Sequence, residues 1–257
     1  MSSIIRNNMA FIFFAGLFLS PFIFWLNALV PYEIPRVWFI NRWIEILMVI
    51  GIIQIIVGGK KWSIKKLDGV ILISVFGFLL AAIISSIFGV DFLKSFWGNY
   101  YRGDGLFTLF HLVGLLLFLT LFWQKKWKKH TALSISLGAS VTSLWAVISG
   151  VRFFIFNDLT VSHWTDGTIG VSFGQPKFLA GFLLIVLPFT VYLLKVSRVN
   201  WQRILFLFSI IIQTIAIAFT KSWGGVLGIG LLVVLIILSC ANFQRRLVIV
   251  FGLLFFV

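Results

Sequence analysis

Long apolar segments alternate with short polar ones along nearly the whole chain. A helix needs about 20 mostly apolar residues to cross the hydrocarbon core of a bilayer. Eight segments are of about this length: Met9–Val30, Trp38–Gly58, Gly69–Val90, Gly105–Trp123, Thr131–Phe156, Phe178–Leu194, Ile204–Thr220 and Ser222–Ala241. Because these runs show no amphipathic polar face, they predict membrane-spanning helices rather than core helices of a soluble protein.

The two ends of the chain complete this pattern. Leu247–Val257 is apolar but too short to span a bilayer, so we expect a truncated ninth helix or a re-entrant segment. Arg6 precedes the first apolar run, which continues past Pro21 without a small-x-small cleavage site, so we expect a retained helix and no signal peptide. The predicted fold class is an all-α, polytopic membrane protein with about eight full transmembrane helices.

The charges predict the orientation. The chain has 21 Lys and Arg and 7 Asp and Glu, for a net charge of +14. If Arg6 is cytoplasmic, the alternate loops on that side hold 14 basic residues and one acid, Asp68, while the other side holds 7 basic and 6 acidic residues. The positive-inside rule therefore predicts a cytoplasmic N-terminus. Interfacial aromatics are expected outside (Trp38, Trp97, Tyr100, Tyr101, Trp164) and inside (Trp62, Trp123, Trp127, Trp201).

The same charges limit the function classes. The basic inner loops KKWSIKK and QKKWKKH are typical of orientation signals beside anionic lipid headgroups, so membrane lipids are expected partners and nucleic acid is not. The chain has no Walker A loop and no Gly-rich dinucleotide motif after a strand, which argues against an ATP-driven pump. The single cysteine, Cys240, excludes an intrachain disulfide, and no cofactor or metal ion is predicted.

Chemistry-bearing residues gather on the outer side. Arg42 and Glu45 stand three apart, share a helix face and can pair, either at the interface or lining a polar cavity. GVDFLKSFWGNYYRGDG, residues 89–105, suits a sugar and a pyrophosphate: Trp97, Tyr100 and Tyr101 offer stacking faces, and Arg102 offers a bidentate grip. The alternative is an interfacial aromatic loop with a turn.

Two further outer segments carry candidate residues. Asp158, His163 and Asp166 lie in the longest polar stretch and are weak candidates for a metal ion or an acid–base pair. In AFTKSWGGVLG, Lys221 and Ser222 stand at a tight turn beside the start of a helix. That position favours an anion, although a plain turn with a snorkelling lysine is the alternative. We expect His111, inside the fourth span, to be a polar packing group.

Three motifs resemble those of one family. SFGQPKFLAGFLLIVLPFTVYLL, FTKSWGGVLG and FWGNYYRGDGLFTLF, in different parts of the chain, are similar to segments of the O-antigen ligase / O-antigen polymerase superfamily. The residues that match the first motif are Gly174, Pro176, Phe178, Ala180, Gly181 and Pro188. Gln175 and Lys177 replace asparagines usual in the family, and Trp223 replaces an arginine.

The resemblance implies a glycan ligase or polymerase of the inner (cytoplasmic) membrane. Such an enzyme transfers glycan from an undecaprenyl-pyrophosphate carrier to a glycan, lipid or protein acceptor on the outer face. It implies N-terminal helices over residues 1–156, an outer loop over 157–177 and the start of the family core over 178–257. The family's catalytic loop lies further downstream, so no catalytic residue is predicted here.

The expected pyrophosphate site combines the basic residues left outside with their aromatic neighbours. The donor's pyrophosphate is expected near Arg102, Lys221, Arg152 and Lys177, with Ser222 at the helix start. Trp97, Tyr100 and Tyr101 are expected to flank the sugar or the lipid. The alternative function is a transporter or flippase of a lipid-linked or anionic solute, and a non-catalytic membrane scaffold is a third interpretation.

Overall fold

The structure is a computed structural model that describes residues 2–58, 69–99, 101–158, 160 and 167–240. These residues form an all-helical structure without β-strands. The helices are α1 (Ser2–Leu19), α2 (Glu33–Gly58), α3 (Gly69–Ile87), α4 (Phe92–Trp97), α5 (Leu106–Phe122), α6 (Trp127–Phe156), α7 (Pro176–Val196), α8 (Asn200–Phe219) and α9 (Trp223–Cys240). Two 3-10 turns, Ser20–Phe22 and Val171–Phe173, accompany them.

Each of the eight predicted segments overlaps one of the long α-helices. Among the described residues, five helical segments are long and apolar enough to cross a membrane: Ile5–Phe22, Glu33–Val57, Trp127–Phe156, Pro176–Val196 and Asn200–Phe219. Three shorter apolar helices are Ile73–Ile87, Leu106–Phe122 and Trp223–Val234. The described part of the chain is therefore consistent with a multi-pass membrane protein. The expected ninth segment, Leu247–Val257, lies outside the described residues.

The first predicted span was too long. The α-helix α1 ends at Leu19 and not at Val30, because Pro21 has no N–H to donate to the Leu17 carbonyl. The Ser20 hydroxyl donates to that carbonyl instead, at 3.2 Å. In contrast, Pro188 lies inside the continuous helix α7, where packing against neighbouring helices tolerates it.

The polar loop before α5 contains a helix that the sequence interpretation missed. Helix α4 begins after Asp91, whose side chain accepts a hydrogen bond from the Lys94 backbone N–H at 3.1 Å. This is an N-cap, which satisfies one of the otherwise unpaired amides of the first turn. The aspartate before the apolar FLKSFW run was the available signal.

The N-terminal helices α1, α2 and α5 pack around one aromatic-rich core. Its buried residues are Met9, Phe13, Trp43, Ile44, Leu47, Phe118, Phe122 and Trp127. The Trp43 indole N–H donates to the Ile12 carbonyl at 2.9 Å, which satisfies its polar atom inside the core. Trp127, predicted at the inner interface, is instead buried, because its ring stacks on Phe13 and meets Phe14 edge-on.

Helices α6, α7 and α8 form a second core, and α9 packs against α7 and α8. Small residues allow close approach: Gly138 of α6 lies against the Phe18 carbonyl of α1. Buried polar residues also join the helices. Thr190 of α7 donates to Ser136 of α6 at 3.1 Å and receives a hydrogen bond from Gln213 of α8 at 3.2 Å.

The described charged residues divide between the two ends of this bundle. At one end, Lys128 at the start of α6 lies 4.9 Å from the ring centroid of Tyr192 near the end of α7. The basic loops 124–126 and 197–199 belong to this end. The opposite end contains the starts of α2, α5, α7 and α9 with the ends of α6 and α8, and it holds those candidate site residues that the structure describes.

Arg36 joins the two helix groups at that second end. Its Nη2 donates to the Ser172 carbonyl at 2.7 Å and its Nε to the Ser20 carbonyl at 3.2 Å. Its guanidinium also lies 4.1 Å from the ring centroid of Phe173. Arg36 therefore connects the start of α2 with both 3-10 turns, and through Val171–Phe173 with the segment leading into α7.

Candidate functional site

A cavity of about 570 Å³ lies between the start of α7 and the start of α9. It is lined by two lysines, a serine, glycines and apolar residues: Lys177, Ala180, Gly181, Leu184, Lys221, Ser222, Trp223, Gly224 and Gly225. We call it the α7–α9 cavity. Lys177, Lys221 and Ser222 line the same cavity, although the two lysines lie 44 positions apart in sequence.

The α8–α9 turn determines the shape of one wall. Lys221 adopts φ 47°, in the left-handed region, which reverses the chain between the two helices. Its Nζ lies 4.9 Å from the ring centroid of Phe154, and Phe154 stacks on Phe219. Ser222 caps α9, because its Oγ accepts from the Gly225 N–H at 3.4 Å. The positive end of the α9 dipole therefore lies beside Lys221.

The opposite wall begins at a glycine turn. Gly174 has φ +68°, and a Cβ there would overlap the Tyr32 ring. Gln175 then precedes Pro176 at the first helical position of α7, where proline is favoured. This turn places Lys177 in the first turn of α7. Two helix N-termini and two lysines therefore line one cavity, an arrangement that favours an anionic ligand.

The described residues of 91–105 form a second candidate region. Two adjoining cavities of about 660 and 720 Å³ share Asp91, Lys94, Gly98 and Asn99 in their walls. Trp97 lines the larger one, while Tyr101 is exposed. Gly98 has φ +87° and lies so close to Gly105 that a Cβ would overlap its backbone. The glycines therefore allow a tight return of the chain, as predicted for this loop.

The residues of the predicted pyrophosphate site do not all line one of these three cavities. Arg102 is exposed and, like Arg152, contributes to the wall of none of these three cavities. Gly103, next to Arg102, packs against Ile34 and Val37 of α2, so the 99–105 turn is held at α2. The predicted residues thus divide into an α7–α9 group and a 91–105 group. Tyr100 lies outside the described residues.

Arg152 is engaged by an acidic partner. Its Nη2 donates to Asp158 Oδ2, and the Thr160 hydroxyl and backbone N–H donate to Asp158 Oδ1. The hydrogen bonds from Thr160, and then Arg152, lower the pKa of the Asp158 carboxyl. Asp158 therefore has a local structural role at the end of α6. His163 and Asp166, the other weak candidates in this segment, lie outside the described residues.

The predicted pairing of Arg42 and Glu45 is confirmed, and it includes a third residue. Arg42 Nη2 lies 2.6 Å from Glu45 Oε1, and His111 Nε2 lies 2.8 Å from the same oxygen. His111, expected only to pack, is thus a partner of Glu45. The available signal was the spacing of Asn41 and Glu45 in α2 and of Thr108 and His111 in α5, which places both pairs on facing stripes.

Comparison of the chain with protein-family models, with curated proteins and with solved structures found no match.

Proposed function

We propose that this chain is a multi-pass protein of the cytoplasmic membrane, with eight crossing helices and a cytoplasmic N-terminus, that acts as a membrane glycan ligase or polymerase. Its donor is an undecaprenyl-pyrophosphate glycan, and its acceptor is a glycan, lipid or protein on the outer face. The α7–α9 cavity binds the donor's pyrophosphate. The resemblance of the three sequence motifs supports the reaction class, and the geometry of the cavity supports the ligand class.

The observation that carries this proposal is the convergence of Lys177, Lys221 and the start of α9 on one cavity. A pyrophosphate diester is compact and anionic, so it matches two ammonium groups and the free amides of a helix start. Both lysines lie at the end of the bundle opposite the basic loops. The positive-inside rule alone predicts no lysine at this end, so these two lysines are exceptions to the rule.

In the proposed reaction, Lys177 and Lys221 have a specific role. In the transfer that the family resemblance implies, an acceptor hydroxyl oxygen attacks the anomeric carbon of the glycan. The carbon–oxygen bond to the pyrophosphate breaks, the lipid pyrophosphate leaves with the bonding electrons, and the hydroxyl proton passes to a base. Lys177 and Lys221 stabilise the charge that develops on the leaving group, which is a large contribution in water-excluded sites.

Binding of a soluble undecaprenyl-pyrophosphate analogue to the full chain in detergent tests this proposal. We expect Lys177→Ala with Lys221→Ala to weaken binding at least about tenfold, because both cationic contacts are removed. Arg102→Ala is the matched control, since Arg102 is also an exposed outer cation but lies outside the α7–α9 cavity. We expect its affinity to stay within about twofold of the wild type.

Two results would contradict the assignment. An affinity unchanged in the double lysine variant would exclude the α7–α9 cavity as the pyrophosphate site. An equal loss in Arg102→Ala would show that binding depends on the general positive charge of this end of the protein. Circular dichroism and gel filtration of each variant provide the folding control.

A transporter or flippase is the second candidate function, and one observation favours it. Arg42, Glu45 and His111 form an ionisable cluster within helices of the bundle, and such clusters commonly mark ion or substrate pathways. Movement of the lipid-pyrophosphate analogue across proteoliposomes, without formation of a glycosidic bond, would support this function over the ligase.

A further inference from the structure

Glu45 of α2 and His111 of α5 meet through one carboxylate oxygen. Glu45 Oε1 lies 2.8 Å from His111 Nε2 and 2.6 Å from Arg42 Nη2. On the other side of the imidazole, His111 Nδ1 lies 2.7 Å from the Phe107 carbonyl oxygen. Both ring nitrogens of His111 therefore face an oxygen at hydrogen-bonding distance.

The chemistry of these partners restricts where protons lie. A backbone carbonyl only accepts hydrogen bonds, so His111 Nδ1 carries a proton. A second proton must lie between His111 Nε2 and Glu45 Oε1, because two bare acceptors at 2.8 Å would repel each other. That proton resides on Nε2, as an imidazolium facing a carboxylate, or on Glu45, as a carboxylic acid donating to a neutral imidazole.

We propose that Glu45 and His111 form a proton-binding site between α2 and α5. The cluster with Arg42 has a charge of +1 when the shared proton is bound and is neutral when it leaves, whichever of the two groups holds it. The distances of 2.7 and 2.8 Å from the two ring nitrogens to oxygens fit the arrangement in which the shared proton is bound. This site is separate from the α7–α9 cavity and does not depend on the proposed glycan transfer.

Arg42 is the main permanently charged residue beside the Glu45–His111 pair. Helix α3, which packs against α5, has no ionisable residue between Gly69 and Ile87. Helix α4 contributes Lys94, and its Trp97 ring lies tilted against Phe107 of α5 with 5.1 Å between the ring centroids. Arg102 and Asp104 lie in the turn before α5, and Asp104 accepts from the Asn99 N–H.

The surroundings also connect the site with the outer loop. The ring centroid of Phe107 lies 4.5 Å from that of His111 and 5.1 Å from that of Trp97, so three rings lead from the 91–105 structure to His111. His111 is shielded, with 11% of its side chain exposed, whereas 38% of the Glu45 side chain is exposed. Glu45 is therefore the less shielded partner of the pair.

Loss of the shared proton changes the contact between the helices. The remaining Nδ1 proton stays with the Phe107 carbonyl, so the Nε2 lone pair then faces the Glu45 carboxylate. Repulsion separates His111 from Glu45, and the nearby bond from Asn41 Nδ2 to Thr108 Oγ1, 3.3 Å long, is the remaining polar link between α2 and α5 in this region. Proton release thus loosens this interface.

Nitrogen NMR of His111 in the full chain tests the proposal. The protein carries ¹⁵N-labelled histidine rings and the substitutions His130→Gln and His163→Gln, so that only His111 reports, in lipid nanodiscs over a pH titration. We expect His111 Nδ1 to keep its proton throughout, and a single further proton to leave the pair. Glu45→Gln should change the Nε2 signal of His111, because an amide that cannot carry the shared proton replaces the carboxylate.

Asp104→Asn is the matched control, since it removes the same charge near the start of α5 without touching His111. It should leave the titration of His111 unchanged. A neutral His111 with its proton on Nε2 would overturn the proposal, and the wild-type spectrum alone gives this result if a variant fails to fold. A titration of His111 that is the same in Glu45→Gln and Asp104→Asn would also overturn it.

Discussion

Replacement of Arg36 by methionine is expected to destabilise the protein by about 3 kcal/mol, since hydrogen bonds to charged groups contribute roughly 1.5–3 kcal/mol each. Methionine keeps most of the side-chain length but leaves the Ser20 and Ser172 carbonyls without their donor. It also removes the cation from the face of Phe173. The midpoint of unfolding in a detergent titration measures the loss.

The controls for Arg36 separate geometry from charge. Arg36→Lys keeps the charge but cannot place two fixed N–H groups on two carbonyls, so it should show an intermediate loss. Arg102→Met removes an exposed outer arginine and should change stability by less than about 0.5 kcal/mol. Equal stability of Arg36→Met and Arg102→Met would contradict the role of Arg36 as the link between the two helix groups.

Substitution of Gly174 by alanine is expected to destabilise the protein by about 2–4 kcal/mol, from backbone strain and overpacking together. At φ +68° an L-residue is strained, and the new Cβ would overlap the Tyr32 ring. Because Gly174 lies just before α7, the change should also displace Lys177 and weaken binding of the lipid-pyrophosphate analogue. Unfolding midpoints and analogue affinity together measure both effects.

Gly230→Ala is the matched control for this substitution. Gly230 lies in α9, and nothing approaches the position of its Cβ within 4 Å. Alanine should therefore be neutral or stabilising there, by up to about 1 kcal/mol. If Gly174→Ala is as stable as Gly230→Ala and binds the analogue equally well, the turn before α7 does not position Lys177.

Much of the fold follows from the apolar pattern. Membrane helices are recognisable because lipid requires long apolar runs with all backbone groups paired internally. The same pattern does not determine where a helix ends: Pro21 terminates α1, whereas Pro188 remains inside α7. Beside Pro21 the Ser20 hydroxyl bonds the Leu17 carbonyl, which is a local feature. Pro188 is accommodated by the packing around α7, which is a tertiary one.

The candidate site was predictable only in part. Lys221 and Ser222 are adjacent at a short turn, so their association with a helix start could be read locally. Arg102 does not line the α7–α9 cavity, and a pattern of charges along the sequence does not determine lateral position around a helix bundle. Arg36 was missed for a similar reason: its partners are the carbonyls of Ser20 and Ser172, which no side-chain pattern reveals.

The partner of His111 could not be predicted from the residue pattern of α5 alone, because that partner lies on α2. A lone histidine in an apolar helix commonly serves packing, and only alignment of α5 with α2 pairs it with Glu45. Two polar residues at helical spacing on each of two segments are a pattern that can be searched for in other sequences. Trp127 is the converse case, since its aromatic partners come from α1 and draw it into the core.

Photocrosslinking of a lipid-pyrophosphate analogue tests the central claim most directly. The analogue carries a photoreactive group beside its phosphates, and the labelled residues are mapped by mass spectrometry in the full chain. We predict labels at the start of α7, within 177–184, and at the start of α9, within 221–225, lost on competition with unlabelled analogue. Labels confined to residues 91–105, or not removed by the competitor, would contradict the assignment of the α7–α9 cavity.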